Sequence, residues 1–198
     1  MEKWKIIKID VDGVIRDLFT TMCELYNETF GTEMTPDDII DYNTDISFPL
    51  IKKRIGSTGN EFFFTTNSAR TFFCSKVIPG AAEAIKKLRA AGLRIEICTY
   101  QPTEEGRRFT CEFLKYNHIE FDGVHFTDSK WMIHGDVLVD DSPDFLCSPD
   151  EDSVKICVKY PFNASIRDTC NYTVSSLSEA ADIILSHNAG ISSPSEVQ

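Results

Sequence analysis

The chain has 198 residues, 20 of them basic and 31 acidic, for a formal net charge of −11 with histidine neutral. Hydrophobic residues make up 42% of it, enough to build a core, which argues against a disordered chain. The acidic balance argues against a binder of nucleic-acid backbones, which needs a basic footprint, but leaves room for a small phosphorylated ligand held by a few local cations.

Taken in chain order, Lys5-Ile6-Ile7-Lys8-Ile9 is a short apolar run closed by Asp10-Val11-Asp12-Gly13, the pattern of a buried strand ending in a turn. From Arg16 to about Cys74 the chain has helical patches, no clear strand and many aromatics, among them Phe48, Phe62-Phe63-Phe64 and Phe72-Phe73. Two readings stand for this stretch: an ordinary part of the main core, or a small helical insertion lying over the strand ends as a lid. Pro79-Gly80 then punctuates the start of a helix over Ala81–Ala91, with Gly92 placed to cap it. Leu93–Cys98 reads as a second strand, Thr103–Tyr116 as a helix, Val124–Phe126 as a third strand, and Val137–Val139 as a fourth followed at once by Asp140-Asp141. Val154–Val158 is a fifth strand, Ser176–Leu185 a closing amphipathic helix, and Ala189–Gln198 a Ser-rich, frayed tail. Strands alternating with helices predict an α/β protein with a parallel sheet covered on both faces, whose ligands bind at the carboxyl ends of the strands.

No apolar run approaches the roughly 18 residues of a membrane span, and the N-terminus has no signal-peptide core, so a soluble cytoplasmic protein without a membrane partner is expected. In that setting Asn163-Ala164-Ser165 and Asn171-Tyr172-Thr173 are chance matches to the glycosylation triplet. The seven cysteines, odd in number and without a CxxC pair, argue against a disulfide framework or structural zinc; Cys98 and Cys157 read as small buried hydrophobes.

The residues just past each strand carry the chemistry. Asp10 and Asp12 are either an Asp-rich turn or a nucleophile plus an acid/base beside a divalent cation. Thr99 either ends its strand as a β-branched residue or offers a hydroxyl to phosphate oxygens. Lys130 is a surface lysine or a cation for phosphate and carboxylate. Asp140-Asp141 is an acidic loop or a pair of hard oxygen ligands suited to Mg²⁺. Four successive strands thus end, in order, in an acid pair, a hydroxyl, a cation and an acid pair, all of use in phosphoryl transfer.

In these motifs the chain resembles the haloacid-dehalogenase-like phosphatases: Asp10-Val11-Asp12-Gly13-Val14 matches the first motif, Thr99 the second, Lys130 the third and Asp140-Asp141 the fourth. Within that superfamily it is most similar to the 5′(3′)-deoxyribonucleotidases, through Asp-Gly-Val-Ile at motif one, Ile78-Pro79-Gly80-Ala81, Ile97-Cys98-Thr99 and the spacing from Lys130 to Asp141. It departs where Tyr100-Gln101-Pro102 replaces the usual Ser then Pro, and where Leu18 stands in place of an aromatic residue. The resemblance implies a Rossmann-like sheet sandwiched by helices over residues 1–15 and 76–198, with a helical cap over 16–75. It implies that Asp10 is the nucleophile, forming an aspartyl-phosphate, and that Asp12 is the acid/base. Mg²⁺ would be held by Asp10, the Asp12 carbonyl and Asp141. Thr99, the Tyr100 amide and Lys130 would bind phosphate oxygens, with Asp140 behind them. Leu18, Phe62 and Phe63 are candidates for a base pocket, and Phe64, Tyr42 and Tyr100 are further aromatics that stack on a base or simply fill the lid's core. The expected substrate is a small phosphorylated molecule, a nucleoside monophosphate and not a polynucleotide, with a homodimer as the expected assembly. Competing readings are a sugar-phosphate phosphatase of the same chemistry, an idle nucleotide-binding relative, and a receiver-type signalling module, whose acidic, threonine and lysine residues come in a different order.

Overall fold

The computed structural model describes residues 2–148 and 153–190. One six-stranded sheet contains β1 (Ile6–Ile9), β2 (Arg94–Thr99), β3 (Gly123–Phe126), β4 (Val137–Asp140), β5 (Val154–Val158) and β6 (Tyr172–Val174). The spatial order is β3-β2-β1-β4-β5-β6, and every neighbouring pair is parallel. The two central strands, β1 and β4, flank the point at which the strand order reverses, where open α/β sheets place their ligands. β6 departs from the sequence reading, which stops at five strands: three residues are too few to show a period, and only pairing with β5 makes them a strand.

The two faces of the sheet differ. Ile7, Ile9, Ile95, Ile97, Val137 and Val139 form a dry aliphatic core with the helices Ala81–Ala90 and Leu177–Asn188 and with Phe113 and Leu114 of the helix Glu104–Tyr116. On the opposite face lie Lys8, Glu96, Asp140 and Cys157, all buried. Right-handed crossovers bring the connections after β3, β4 and β5 to this side. There the cover consists of short turns, Lys130–Met132, Pro143–Leu146 and Pro161–Thr169. Lys8 holds the first of them, its Nζ donating to the main-chain oxygens of Lys130 at 3.4 Å and Ile133 at 3.1 Å. The helix over Ala81–Ala90 ends as expected, with Gly92 in the left-handed region at φ 83°.

Between β1 and β2 the chain makes a helical excursion. Its first helix, Leu18–Phe30, is capped by the Asp17 carboxylate and stopped by Gly31. Short helices over Thr44–Ser47 and Pro49–Ile55 follow, and then two wide π-helical turns, Phe62–Thr66 and Ala69–Phe73. These elements bury an aromatic cluster of their own, including Phe19, Tyr26, Phe30, Phe48, Phe62, Phe63 and Phe72, joined from the sheet side by Phe109 and Phe162. The outgoing and returning strands are stitched together where they leave the sheet, by Asp17 N–H to the Lys76 carbonyl and Ile78 N–H to the Ile15 carbonyl, each 2.8 Å. Among the described residues no helix is long and apolar enough to cross a membrane. Most of the expected frayed tail, residues 191–198, lies outside the described residues.

Candidate active site

Asp10 is the first residue after β1, Asp140 the last of β4 and Asp141 the next. Because β1 and β4 are neighbours, the three side chains meet: one carboxylate oxygen from each lies within 4.8 Å of the others. All three are buried. The fully buried Lys130 donates to Asp10 Oδ1 and to Asp140 Oδ2, each at 2.6 Å, while the Phe145 ring sits 4.1 Å from its Nζ. The Ser142 N–H donates to the other Asp140 oxygen at 2.9 Å.

Three carboxylates surround a single ammonium, and the proton affinities of Asp10 and Asp141 show the imbalance. Burial pushes Asp10 up to about 7; Lys130 opposes this, and Asp140 and Asp12 add to it. Burial, then Asp140 and Asp10, hold Asp141 well above the usual carboxylate range. Lys130 is raised in turn, since its two carboxylate partners outweigh the burial that disfavours its charge. The cluster therefore lacks positive charge, and its donors are hard oxygens, a combination that fits a divalent cation such as Mg²⁺. Gly13 keeps the space open. It sits at φ +74°, and a Cβ there would come 2.7 Å from Asp141 Oδ2 and 2.8 Å from the Phe19 ring.

Asp12 faces a different partner set. Its Oδ1 accepts from Arg16 Nε at 2.7 Å and its Oδ2 from Gln101 Nε2 at 2.8 Å. The Asp12 side chain is not part of the acidic cluster, whereas that of Asp140 is. Thr99, buried at the end of β2, and Tyr100, half exposed beside it, complete the floor.

Above this floor lies a cavity of about 640 Å³. Asp10, Asp12, Thr99, Lys130 and Asp141 line its bottom, and Leu18, Tyr42, Phe64 and Phe72 line its walls. Asp41 and Glu61 are also among the lining residues, and Lys130 is the one basic residue there among the described residues. Leu18 is thus on the wall as expected, but Phe62 and Phe63 are not. Three consecutive residues on a helix point in three directions. Phe63 is fully buried against Phe48, Phe62 packs against Phe30 and Phe63, and only Phe64 of the three faces the cavity.

Sequence reasoning missed Gln101 and Arg16. The first lies two residues past Thr99 and would have been found by extending the search further beyond each strand. The second had one signal, a charge directly after the apolar pair Val14-Ile15.

Residues 4–189 match the family model described as 5′ nucleotidase, deoxy (pyrimidine), cytosolic type C protein (NT5C). No curated protein matches the chain. Among solved structures it is similar to a predicted phosphatase from Clostridium acetobutylicum, with 14% identity, a TM-score of 0.65, and coverage of 93% of this chain and 99% of that one. CbbY from Rhodobacter sphaeroides, in complex with phosphate, has 14% identity, a TM-score of 0.55, and coverage of 89% and 96%. The HAD-hydrolase YfnB from Bacillus subtilis, bound to magnesium, has 13% identity, a TM-score of 0.60, and coverage of 93% and 100%.

Proposed function

Since the chain belongs to the family of 5′ nucleotidase, deoxy (pyrimidine), cytosolic type C proteins, phosphatases of the haloacid-dehalogenase type, we propose that it hydrolyses (deoxy)nucleoside monophosphates with the help of Mg²⁺. The observation that carries this reading is the convergence of Asp10, Lys130, Asp140 and Asp141 at the floor of a deep, aromatic-walled cavity.

Asp10 is the nucleophile. Its Oδ1 is engaged by Lys130, which leaves the other oxygen for phosphorus. As the new P–O bond forms, the bond to the ribose oxygen breaks, and Asp12 gives that oxygen its proton. Water then attacks phosphorus, Asp12 takes up a proton, and the Asp10 carboxylate is released with inorganic phosphate. Lys130 has three N–H donors; two are spent on Asp10 and Asp140, and the third serves a non-bridging phosphate oxygen, together with the Thr99 hydroxyl and the Tyr100 N–H. The 2.6 Å contact with Asp140 supports a role for that carboxylate in aiming the lysine. The groups placed to hold Mg²⁺ are the Asp10 and Asp141 carboxylates and the Asp12 main-chain carbonyl; when bound, the ion supplies the positive charge that lets an anionic nucleophile approach a phosphate.

Residues 16–75 act as a cap on a core of residues 1–15 and 76–198, a division supported by the separate aromatic cluster and the stitched strands at the junction. The wall chemistry supports a nucleoside over a sugar phosphate. Leu18, Phe64 and Tyr42 offer apolar and aromatic surface to a base, while Asp41 and Glu61 would repel a second anionic group. A cytoplasmic setting is part of the proposal, in keeping with seven unpaired cysteines.

The test is phosphate release with and without Mg²⁺ across the common nucleoside monophosphates, run beside glucose and fructose phosphates. A Mg²⁺-dependent preference for nucleotides is expected. Faster turnover of the sugar phosphates would overturn the substrate assignment.

A further inference from the structure

Among the described residues, Arg16 is the largest side chain that is fully buried. A buried guanidinium is tolerated only when its charge is paired and its donors are filled. Here Nε donates to Asp12 Oδ1 at 2.7 Å, Nη1 to the Phe72 main-chain oxygen at 2.6 Å, and Nη2 to Thr110 Oγ1 at 3.2 Å. The group also lies over two rings, 5.0 Å from the Phe72 centroid and 5.1 Å from that of Phe113. These partners belong to three parts of the fold: the turn after β1, the last π-helical turn of the helical excursion, and the helix Glu104–Tyr116. Arg16 itself stands at the junction, bridged to Asp12 on one side and to Val77 of the returning strand on the other.

The position of Asp12 follows from this arrangement. Its two oxygens are held by different elements, one by Arg16 and one by Gln101, so the carboxylate plane is fixed at the cavity floor. A lysine in place of Arg16 could keep the ion pair, but its ammonium has no planar fork with which to reach the Phe72 carbonyl and Thr110 as well.

We propose that Arg16 is a positioning residue for phosphate-ester cleavage: it aims the Asp12 carboxylate at the leaving oxygen and ties that aim to the seating of the helical segment through the Phe72 carbonyl. The proposal rests on the reading of Asp12 as the proton donor.

The experiment exploits the leaving group. A ribose oxygen departs poorly without a proton, whereas p-nitrophenolate departs well without one. kcat/KM is therefore measured in Mg²⁺ for the preferred nucleoside monophosphate and for p-nitrophenyl phosphate, in the wild type and in the Arg16→Met, Arg16→Lys and Asp12→Asn variants. Arg16→Met is expected to lower the nucleotide value about 100-fold and the p-nitrophenyl phosphate value less than about threefold, with the nucleotide loss falling on kcat more than on KM. Arg16→Lys should recover about tenfold of the nucleotide loss. If Arg16→Met does not fold, Arg16→Lys decides alone, through the same selective loss at about tenfold. Equal losses on both substrates in the Arg16 variants, beside a selective loss in Asp12→Asn, overturn the positioning role only. Equal losses in Asp12→Asn itself overturn Asp12 as proton donor, and the positioning role with it.

Discussion

The sheet and the helical segment between β1 and β2 bury different chemistry. The sheet core is aliphatic, with Ile7, Ile9, Val137 and Val139 locked in parallel register, whereas the helical segment buries interleaved phenylalanines and Tyr26. In a register-fixed strand, the residue that follows the last pair has little freedom, and so Asp10 and Asp141 reach one point from separate strands. The aromatic cluster shapes a wall and leaves the carboxylate positions alone. It follows that changes at the strand ends should act on chemistry, and changes in the aromatic cluster on fit and stability.

The largest expected effect is at Asp10. Asp10→Asn removes the proposed nucleophile and should lower phosphate release by on the order of 10⁴-fold or more, with the thermal midpoint kept or raised. A variant within tenfold of wild type would break the comparison at its strongest point. Lys130→Met comes next. It strands Asp10 and Asp140 without their cation, and unfolding titrations should show a loss of about 3–5 kcal/mol. Two adjacent phenylalanines sharpen the contrast within the helical segment. Phe63→Ala should cost about 3–5 kcal/mol in stability, because the side chain is fully buried. Phe64→Ala, on the cavity wall, should instead raise KM for a nucleotide about tenfold, with kcat changed little.

Between these effects in size lies the response to pH and metal. The carboxyl of Asp10 is held at about 7 in the folded chain. A raised acid titrates first in the unfolded chain, so without metal this group costs stability as pH climbs from about 4, and the cost is complete above about 7. Mg²⁺ at 100 times its dissociation constant should return about 2.7 kcal/mol, read as a higher thermal midpoint at pH 8 than with chelator. The gain should shrink at pH 5, where protons compete for the same oxygens.

The strand ends were legible because an apolar run of four to six residues followed by a polar group needs only its immediate neighbours to be recognised. That is how Asp10, Thr99 and the Asp140-Asp141 pair stand out. Lys130, four residues beyond β3, depended on the other three for its meaning. What was hidden depends on distant partners. β6 is a strand only because β5 lies beside it. The charge of Arg16 is buried only because Phe72, Thr110 and Phe113 close around it. Which of Phe62, Phe63 and Phe64 meets the cavity depends on the winding of a π-helical turn, which no local pattern announces.

The covalent step can be examined by mixing the enzyme and Mg²⁺ with a radiolabelled nucleoside 5′-monophosphate, quenching in acid within one turnover and mapping the label by peptide mass. Phosphate bound to Asp10, stable in acid and released by hydroxylamine, is the predicted result. Label on another residue, or full turnover with no covalent phosphate on the protein, would contradict it.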